Sequence, residues 1–374
     1  MSVVRTGRRK GAACAAALAA FLAAGPALLG AQEAPPPVDK KGSTVIIPVA
    51  FYSPETRWGG GLGGIVTFWP DKGGPGHRPS SVMFIGTVTQ NKQFELNAKP
   101  ELYLAGDSLI LTGNVDWKKY PSKFFGLGND APENGEEDFT PRQYSFEVTA
   151  VKRLWPDRDI FAGLTWQIDS WKFLRIDPAG RIAEGTIAGS AGGILSGAGG
   201  VLKWDNRNNV FFPRNGNFFQ LSAVAYGGWL GSDFSYAKVK ADLRTYVPVG
   251  KSHTLALQAY LQSASGDVPF MALPMFGTDN TMRGYFQGRF RDKSMFAIQA
   301  EYRLPLIWKF GLVGFAGVGR VAPRLGSLGL ADLKTSVGWG VRFKLTPEGA
   351  NLRLDFGYGK DGASGMYLTA GEAF

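Results

Sequence analysis

The sequence predicts an all-β chain, a transmembrane antiparallel β-barrel of about 16 strands with an inward-folded extracellular loop. Three observations carry this expectation. Hydrophobic and polar residues alternate with period two along most of the chain. An export signal precedes that pattern, and no later apolar run is long enough for a membrane helix. Glycine is abundant, at 51 of 374 residues, and aromatics make up 13%. This glycine share is roughly twice the usual one, and it suits many strands joined by tight turns.

The export signal comes first in the chain. Arg5, Arg8, Arg9 and Lys10 form a basic n-region, followed by an Ala/Leu-rich stretch from Gly11 to Leu29 and small residues at Gly30 and Ala31. Residues 1–31 read as a secretory signal peptide cut near Ala31–Gln32. A membrane anchor fits less well, because the run is short and contains Gly25 and Pro26. Residues 32–43 are polar and Pro-rich, a short periplasmic tether. Residues 44–374 form the barrel domain.

Removing the signal takes four from the 41 basic side chains and none from the 31 acidic ones, leaving 37 against 31 and a balance of +6. This charge is too mild and too evenly spread to point to nucleic acid. The single cysteine, Cys14, lies inside the signal, so the exported chain has no thiol, disulfide or Cys-based metal site. An exported chain without helical spans can cross lipid as a closed barrel, in which every backbone group is hydrogen-bonded.

The alternation is explicit in several segments. Phe296, Ile298, Ala300, Tyr302 and Leu304 oppose Ala297, Gln299, Glu301 and Arg303. Val337, Trp339, Val341 and Phe343 oppose Ser336, Gly338, Gly340, Arg342 and Lys344. Leu352, Leu354, Phe356 and Tyr358 oppose Arg353, Asp355 and Gly357. Ala237, Val239, Ala241 and Leu243 oppose Lys238, Lys240, Asp242 and Arg244. Strands do this because successive side chains point to opposite faces. One face suits lipid, and the other is too charged for the dry core of a soluble β-sandwich. Trp69, Tyr103, Trp117, Trp171, Trp229, Trp308 and Tyr358 lie at segment ends, where aromatic girdles form.

Sixteen candidate strands run from 44–52 to 364–374. The gaps at 119–141, 173–194 and 264–293 are long enough for extracellular loops. The gaps at 91, 106 and 248–251 read as periplasmic turns.

The most informative loop contains Phe276 to Tyr285 and continues through Gly288, Arg289, Arg291 and Asp292. A loop this basic is either solvated surface or folded into a charged lumen. In the lumen an Arg fork pairs bidentately with carboxylate. Partner candidates for Arg283 are the lumen-facing Glu301 and Asp355, with Asp332 at a rim.

Met282-Arg-Gly-Tyr285 resembles the (V/I/L)-R-G-(F/Y) motif in the sixth extracellular loop of the BamA/TamA-like surface-antigen barrels, and five strands follow it here as in that family. The run Asp205-Asn-Arg207-Asn-Asn209 with Pro213-Arg-Asn-Gly216 resembles the family's D-x-R-x-N…P-x-x-G turn. Pro48 with Tyr52-Ser-Pro-Glu-Thr56, and Glu301-Tyr-Arg-Leu-Pro305, are similar too. Met366, Leu368, Ala370 and Phe374 share one face of the last segment and resemble an outer-membrane assembly signal. Three departures stand out. Residues 32–43 leave no room for the periplasmic POTRA modules of relatives that assemble other barrels. Gly317 falls where many relatives carry an Asp that engages the loop arginine. Glu372 replaces an outward apolar residue and is expected beside lipid.

The resemblance implies a bacterial outer-membrane protein in the assembly, insertion or translocation of proteins or lipids. Arg283, Gly284 and Tyr285 would hold the inner loop. Its partners would be outer-membrane lipid, the host barrel-assembly machinery, a client and a periplasmic accessory protein. The alternatives are a passive channel or structural barrel and a lipid-modifying enzyme. Enzyme chemistry is poorly supported. Only His77 and His253 occur, and Ser252 and His253 are adjacent, so on a strand they face opposite ways. No catalytic residue, metal ligand or cofactor is expected.

Overall fold

The structure is a computed structural model describing residues 42–53, 57–70, 77–132 and 135–374, with backbone alone at 50–53, 57 and 361. The signal peptide, residues 32–41 of the tether and residues 54–56 of the Tyr52–Thr56 motif lie outside the described residues.

Seventeen strands make up the described fold. They are β1 (Thr44–Ser53), β2 (Arg57–Phe68), β3 (Ser80–Thr89), β4 (Phe94–Leu104), β5 (Leu109–Lys119), β6 (Ser122–Phe124), β7 (Glu137–Trp155), β8 (Arg158–Ile176) and β9 (Gly193–Asp205). The series continues with β10 (Gly216–Tyr226), β11 (Tyr236–Val249), β12 (His253–Gly266), β13 (Ser294–Pro305), β14 (Phe310–Ala322), β15 (Lys334–Lys344), β16 (Asn351–Gly359) and β17 (Ser364–Ala370). Each pairs antiparallel with its neighbour in sequence, except that β5 and the three-residue β6 both pair with β7. The sixteen expected strands are therefore joined by one short addition. Among the described residues no register joins β17 back to β1.

The alternation sets which face is inside. On β13, Gln299, Glu301 and Arg303 are buried, while Ile298 and Tyr302 are exposed. On β16, Arg353 and Asp355 are buried. Large apolar side chains on the other parity, such as Leu164, Val337 and Trp339, are exposed. Outward apolar and inward polar is what a lipid-facing barrel requires.

Because successive strands reverse direction, the connections fall at two ends. The loop end carries 90–93, 120–136, 177–192, 227–235, 267–293, 323–333 and 360–363. The turn end carries 69–79, 105–108, 156–157, 206–215, 250–252, 306–309 and 345–350.

Several expectations are corrected. The turn at 91 lies at the loop end, because the length of a gap does not say which end it occupies. β7 and β8 are 19 residues each and project past their neighbours. A register shift between Thr140 and Pro141 interrupts the period there and hid the extension. Tyr103 belongs to no outer girdle, since it packs inside with Ile110, Val151, Phe161 and Val201.

The interior is packed at both ends. Phe124, Phe139, Ile182, Leu195, Val224, Phe270 and Leu273 cluster at the loop end. Phe211 packs with Ile65 and Ala350 at the turn end.

Candidate functional site

The loop at 267–293 does not stay on the surface. Phe276, Met282, Arg283, Tyr285, Phe290 and Arg291 are all buried. Local chemistry shapes it. The Thr278 hydroxyl accepts the backbone N–H of Thr281 at 2.9 Å and of Asn280 at 3.3 Å, a side-chain turn of the kind Thr favours. Phe276 N–H donates to the Phe290 carbonyl at 3.0 Å and Gly288 N–H to the Phe276 carbonyl at 2.8 Å. These bonds close the neck of the loop. Its tip then carries two left-handed residues, Met282 (φ 54°) and Gly284 (φ 110°), on either side of Arg283.

Arg283 enters a buried ionic network. Its Nη2 donates to Glu301 Oε2 at 2.8 Å and its Nη1 to Asp355. The guanidinium carbon lies 3.5 Å from the centroid of the Phe315 ring, a cation–π contact. Glu301 also accepts from Arg303 Nε at 2.8 Å and lies 3.5 Å from Arg342. Arg342 reaches Asp355 and donates to Glu372 at 2.8 Å. Arg353 lies 3.4 Å from Asp355 and donates at 2.8 Å to Asp279, in the loop itself. Four guanidiniums, those of Arg283, Arg303, Arg342 and Arg353, meet four carboxylates, those of Glu301, Asp355, Glu372 and Asp279. Paired burial of this kind avoids the several kcal/mol that a lone buried ion costs.

The backbone of the tip is held as firmly. Met282 N–H donates to Gln299 Oε1 at 2.9 Å and Gly284 N–H to the Tyr367 hydroxyl at 2.9 Å. The Tyr285 hydroxyl donates to the Thr335 carbonyl at 2.7 Å and accepts from Lys360 N–H at 2.9 Å. Ser336 Oγ donates to the Arg283 carbonyl.

The floor beneath the tip is β16 backbone. A Cβ on Gly357 would lie 2.7 Å from Arg283 C and Gly284 N, and one on Gly359 would lie 2.7 Å from the Tyr285 ring. Glycine at these positions is what lets the loop lie against the sheet.

The three arginines of this loop differ in surroundings. Arg289 donates to the Ala131 carbonyl at 2.8 Å and lies over Phe290. Arg291 is buried and has backbone carbonyl acceptors at 3.3 to 3.5 Å, with no carboxylate within ion-pair distance among the described residues. Burial lowers its pKa to about 10. Burial also raises the pKa of the neighbouring Asp292, against the pull of Lys293.

The expected site residues divide as follows. Arg283, Glu301 and Asp355 come together. Asp332 does not join them, because its side chain is 72% exposed and lies 3.9 Å from Arg320. Gly317 lies beside Met282 and Gln299, and Gln299 holds the Met282 amide there. Arg283 itself turns to Glu301, two residues along β13 from Gln299, and to Asp355 on β16.

Asp205, Arg207, Asn209, Pro213 and Gly216 build the inward turn at 206–215. Arg207 donates to both Asp205 oxygens at 2.8 Å. Asn209 Oδ1 accepts the amides of Phe211 and Phe212 at 2.8 and 2.9 Å, and its Nδ2 donates to the Glu348 carbonyl at 2.8 Å. Gly216 takes φ 103°. Arg303 Nη1 reaches the Pro213 carbonyl at 3.4 Å, so this turn and Glu301, which holds the loop arginine, share one guanidinium.

The last segment is corrected. Met366 and Ala370 are exposed and Leu368 is half-buried, but Phe374 is not on their face. β17 stops at Ala370, and Gly371 bends the chain at φ 84°. Phe374 packs inside with Tyr246 and Ala256, and its carbonyl accepts from Arg303 Nη2 at 2.7 Å. Glu372, expected beside lipid, instead enters the ionic network. A single left-handed glycine breaks the period there.

Sequence reasoning named neither Arg303, Arg342 nor Arg353 as site residues. Their signal was present, since all three share the inward parity of Glu301 or Asp355. His253 Nδ1 lies 2.8 Å from the Tyr302 hydroxyl.

The sequence profile of the Omp85 superfamily domain matches residues 78–374. No curated protein sequence matches significantly. Among solved structures, the chain resembles BamA from Haemophilus ducreyi lacking POTRA domains 1–3, at TM-score 0.52 and 15% identity, covering 89% of this chain and 69% of that one. It also resembles CdiB from Acinetobacter baumannii (TM-score 0.54, 12% identity, 88% of this chain and 60% of that one). CdiB from Escherichia coli matches at TM-score 0.55 and 11% identity, over 90% of this chain and 63% of that one. The chain thus spans less than two thirds of either CdiB. At these identities the likeness is one of fold.

Proposed function

The chain belongs to the Omp85 superfamily, whose barrels reside in the bacterial outer membrane, and from that premise we propose that it inserts or translocates proteins there. The carrying observation is the seam. β17 is seven residues long and pairs with β16, while among the described residues no register ties it to β1. The loop tip sits against β16 beside that edge. A free sheet edge accepts an incoming strand by β-augmentation, and the ionic seat keeps the neighbouring strands rigid while it does so. The partners of this reading are an unfolded client, the host barrel-assembly machinery, outer-membrane lipid and a periplasmic accessory protein. Quantitative outer-membrane proteomics with lipid analysis after depletion tests it. Selective loss of other barrels or exported proteins is the expected outcome. An unchanged protein profile overturns the reading.

A passive channel is the second reading, favoured by inward positions that stay exposed. Glu147 and Lys99 share the inward parity of their strands and yet are exposed. Steady, large single-channel currents in a planar bilayer would support it.

A further inference from the structure

Three cations stand side by side on the lipid-facing parity at the loop end. Lys119 on β5 is the register partner of Arg142 on β7, and Arg142 is the register partner of Lys172 on β8. Their face is the outward one, because Trp117, Tyr144 and Trp166, on the same parities, are exposed. Like charges directly opposite one another across strands are destabilising. Among the described residues no carboxylate lies within ion-pair distance of any of the three. Arg142 Nε is buried without a hydrogen-bond partner. The row is thus a repulsive arrangement that no carboxylate among the described residues neutralises.

Its height on the barrel identifies what does. Immediately below lies an aromatic step. Trp117 stacks on Tyr144 at 5.8 Å, Phe94 meets Trp117 edge-on at 4.8 Å, and Arg142 lies over Tyr144 at 5.9 Å. Exposed Leu96, Val115, Phe146, Val148 and Leu164 continue downward. The next outward cation on β7 is Lys152, which is exposed. Ten residues separate Arg142 from Lys152, roughly 34 Å of strand. At a tilt of about 45° this is about 24 Å, close to the height of the apolar band of such barrels. Arg142 therefore sits at the outer interface, where long loops face the exterior.

We propose that Lys119, Arg142 and Lys172 form a binding site for the phosphate groups of an outer-leaflet glycolipid, with its acyl chains on the Trp117–Tyr144 step. Two interstrand steps place the outer cations about 10 Å apart, wide enough for a headgroup carrying two phosphates. The site rests on the outer-membrane reading above and is independent of the insertion role.

The test uses the purified full barrel in phosphatidylcholine nanodiscs doped with diphosphoryl lipid A, with the same glycolipid stripped of phosphate, or with phosphatidylglycerol. Heat-modifiable migration first establishes that each protein is a folded barrel. A chain that never gives this form overturns the membrane reading itself. Native mass spectrometry then reads retained lipid. Diphosphoryl lipid A is retained by the wild type, and the triple variant Lys119→Gln, Arg142→Gln, Lys172→Gln retains it at least about tenfold more weakly. The single Lys172→Gln change, at an exposed position, weakens it in the same direction should the triple variant not fold. Lys119→Arg with Lys172→Arg keeps retention, and Lys152→Gln, the same charge loss at the other rim, leaves it unchanged. Equal retention by wild type and variants overturns the proposal, as does an equal loss from Lys152→Gln. Equal retention of the phosphate-free glycolipid or of phosphatidylglycerol overturns it too.

Discussion

Arg303 donates to Glu301 through Nε at 2.8 Å, and through that carboxylate it supports a residue of the long loop, Arg283, which it does not touch. The loop arginine is held by acceptors that are themselves held. Its removal is therefore felt through the whole network rather than at one bond.

Arg283→Met is expected to lower barrel stability by about 3 kcal/mol, since it leaves the buried carboxylates of Glu301 and Asp355 each short of one guanidinium. The temperature at which the folded form is lost in heat-modifiable electrophoresis measures this. Unchanged heat stability would remove the seat from the account of the fold.

Gly357→Ala is expected to lift the loop off β16, because the new methyl group meets Arg283 and Gly284 backbone at 2.7 Å. A cost of roughly 1–3 kcal/mol follows from overpacking. In a chain without Cys14, a cysteine placed by Thr281→Cys should react with a maleimide faster in the Gly357→Ala background. Gly314→Ala is the control, since its Cβ meets nothing within 4 Å.

Arg291→Met is expected to preserve or raise stability, the opposite sign to Arg283→Met, because Arg291 is a buried cation without a carboxylate. Its folded pKa of about 10 lies below the ordinary arginine value. Between those values the unfolded chain holds the proton more tightly. The wild type therefore gains stability as pH rises through that window, and below it the burial cost is constant. Heat midpoints taken at increasing pH above 10 should rise in the wild type relative to Arg291→Met.

Asn209→Ala is expected to loosen the inward turn at the cost of about 2 kcal/mol, because two amides lose their acceptor and the Glu348 carbonyl loses its donor. Ser43, just before β1, donates to Glu348 Oε2 at 3.1 Å, so the start of the first strand should loosen as well. Hydrogen exchange at residues 43–49 would report it.

The strands were legible because lipid on one side and charge on the other force a strict period on the sequence. That rule held best where both faces are demanding, as in β13 and β16. It failed where the chain leaves the lipid band. Above it, Pro141 shifts the register and β7 continues past the point where alternation stops. Below it, Gly371 turns Glu372 and Phe374 inward, although their sequence positions continue the outward reading of the strand. Within the site, Arg283, Glu301 and Asp355 could be named because a motif and a parity coincide on them. Asp332 was misplaced because its loop geometry carries no period. Arg342 and Arg353 went unnamed because an inward arginine looks the same whether it faces water or a carboxylate.

The donors of Arg303 also set an order of events. They join Glu301 on β13, Pro213 in the turn before β10 and Phe374 beyond β17, segments up to 161 positions apart in the chain. Contacts of such long separation form late. A barrel arrested before its final strand docks would lack this tie and also the Tyr367 hydroxyl that accepts the Gly284 amide at the loop tip. Seating of the loop thus registers that the sheet has been finished, and an unfinished barrel would betray itself by a loop that remains open to protease.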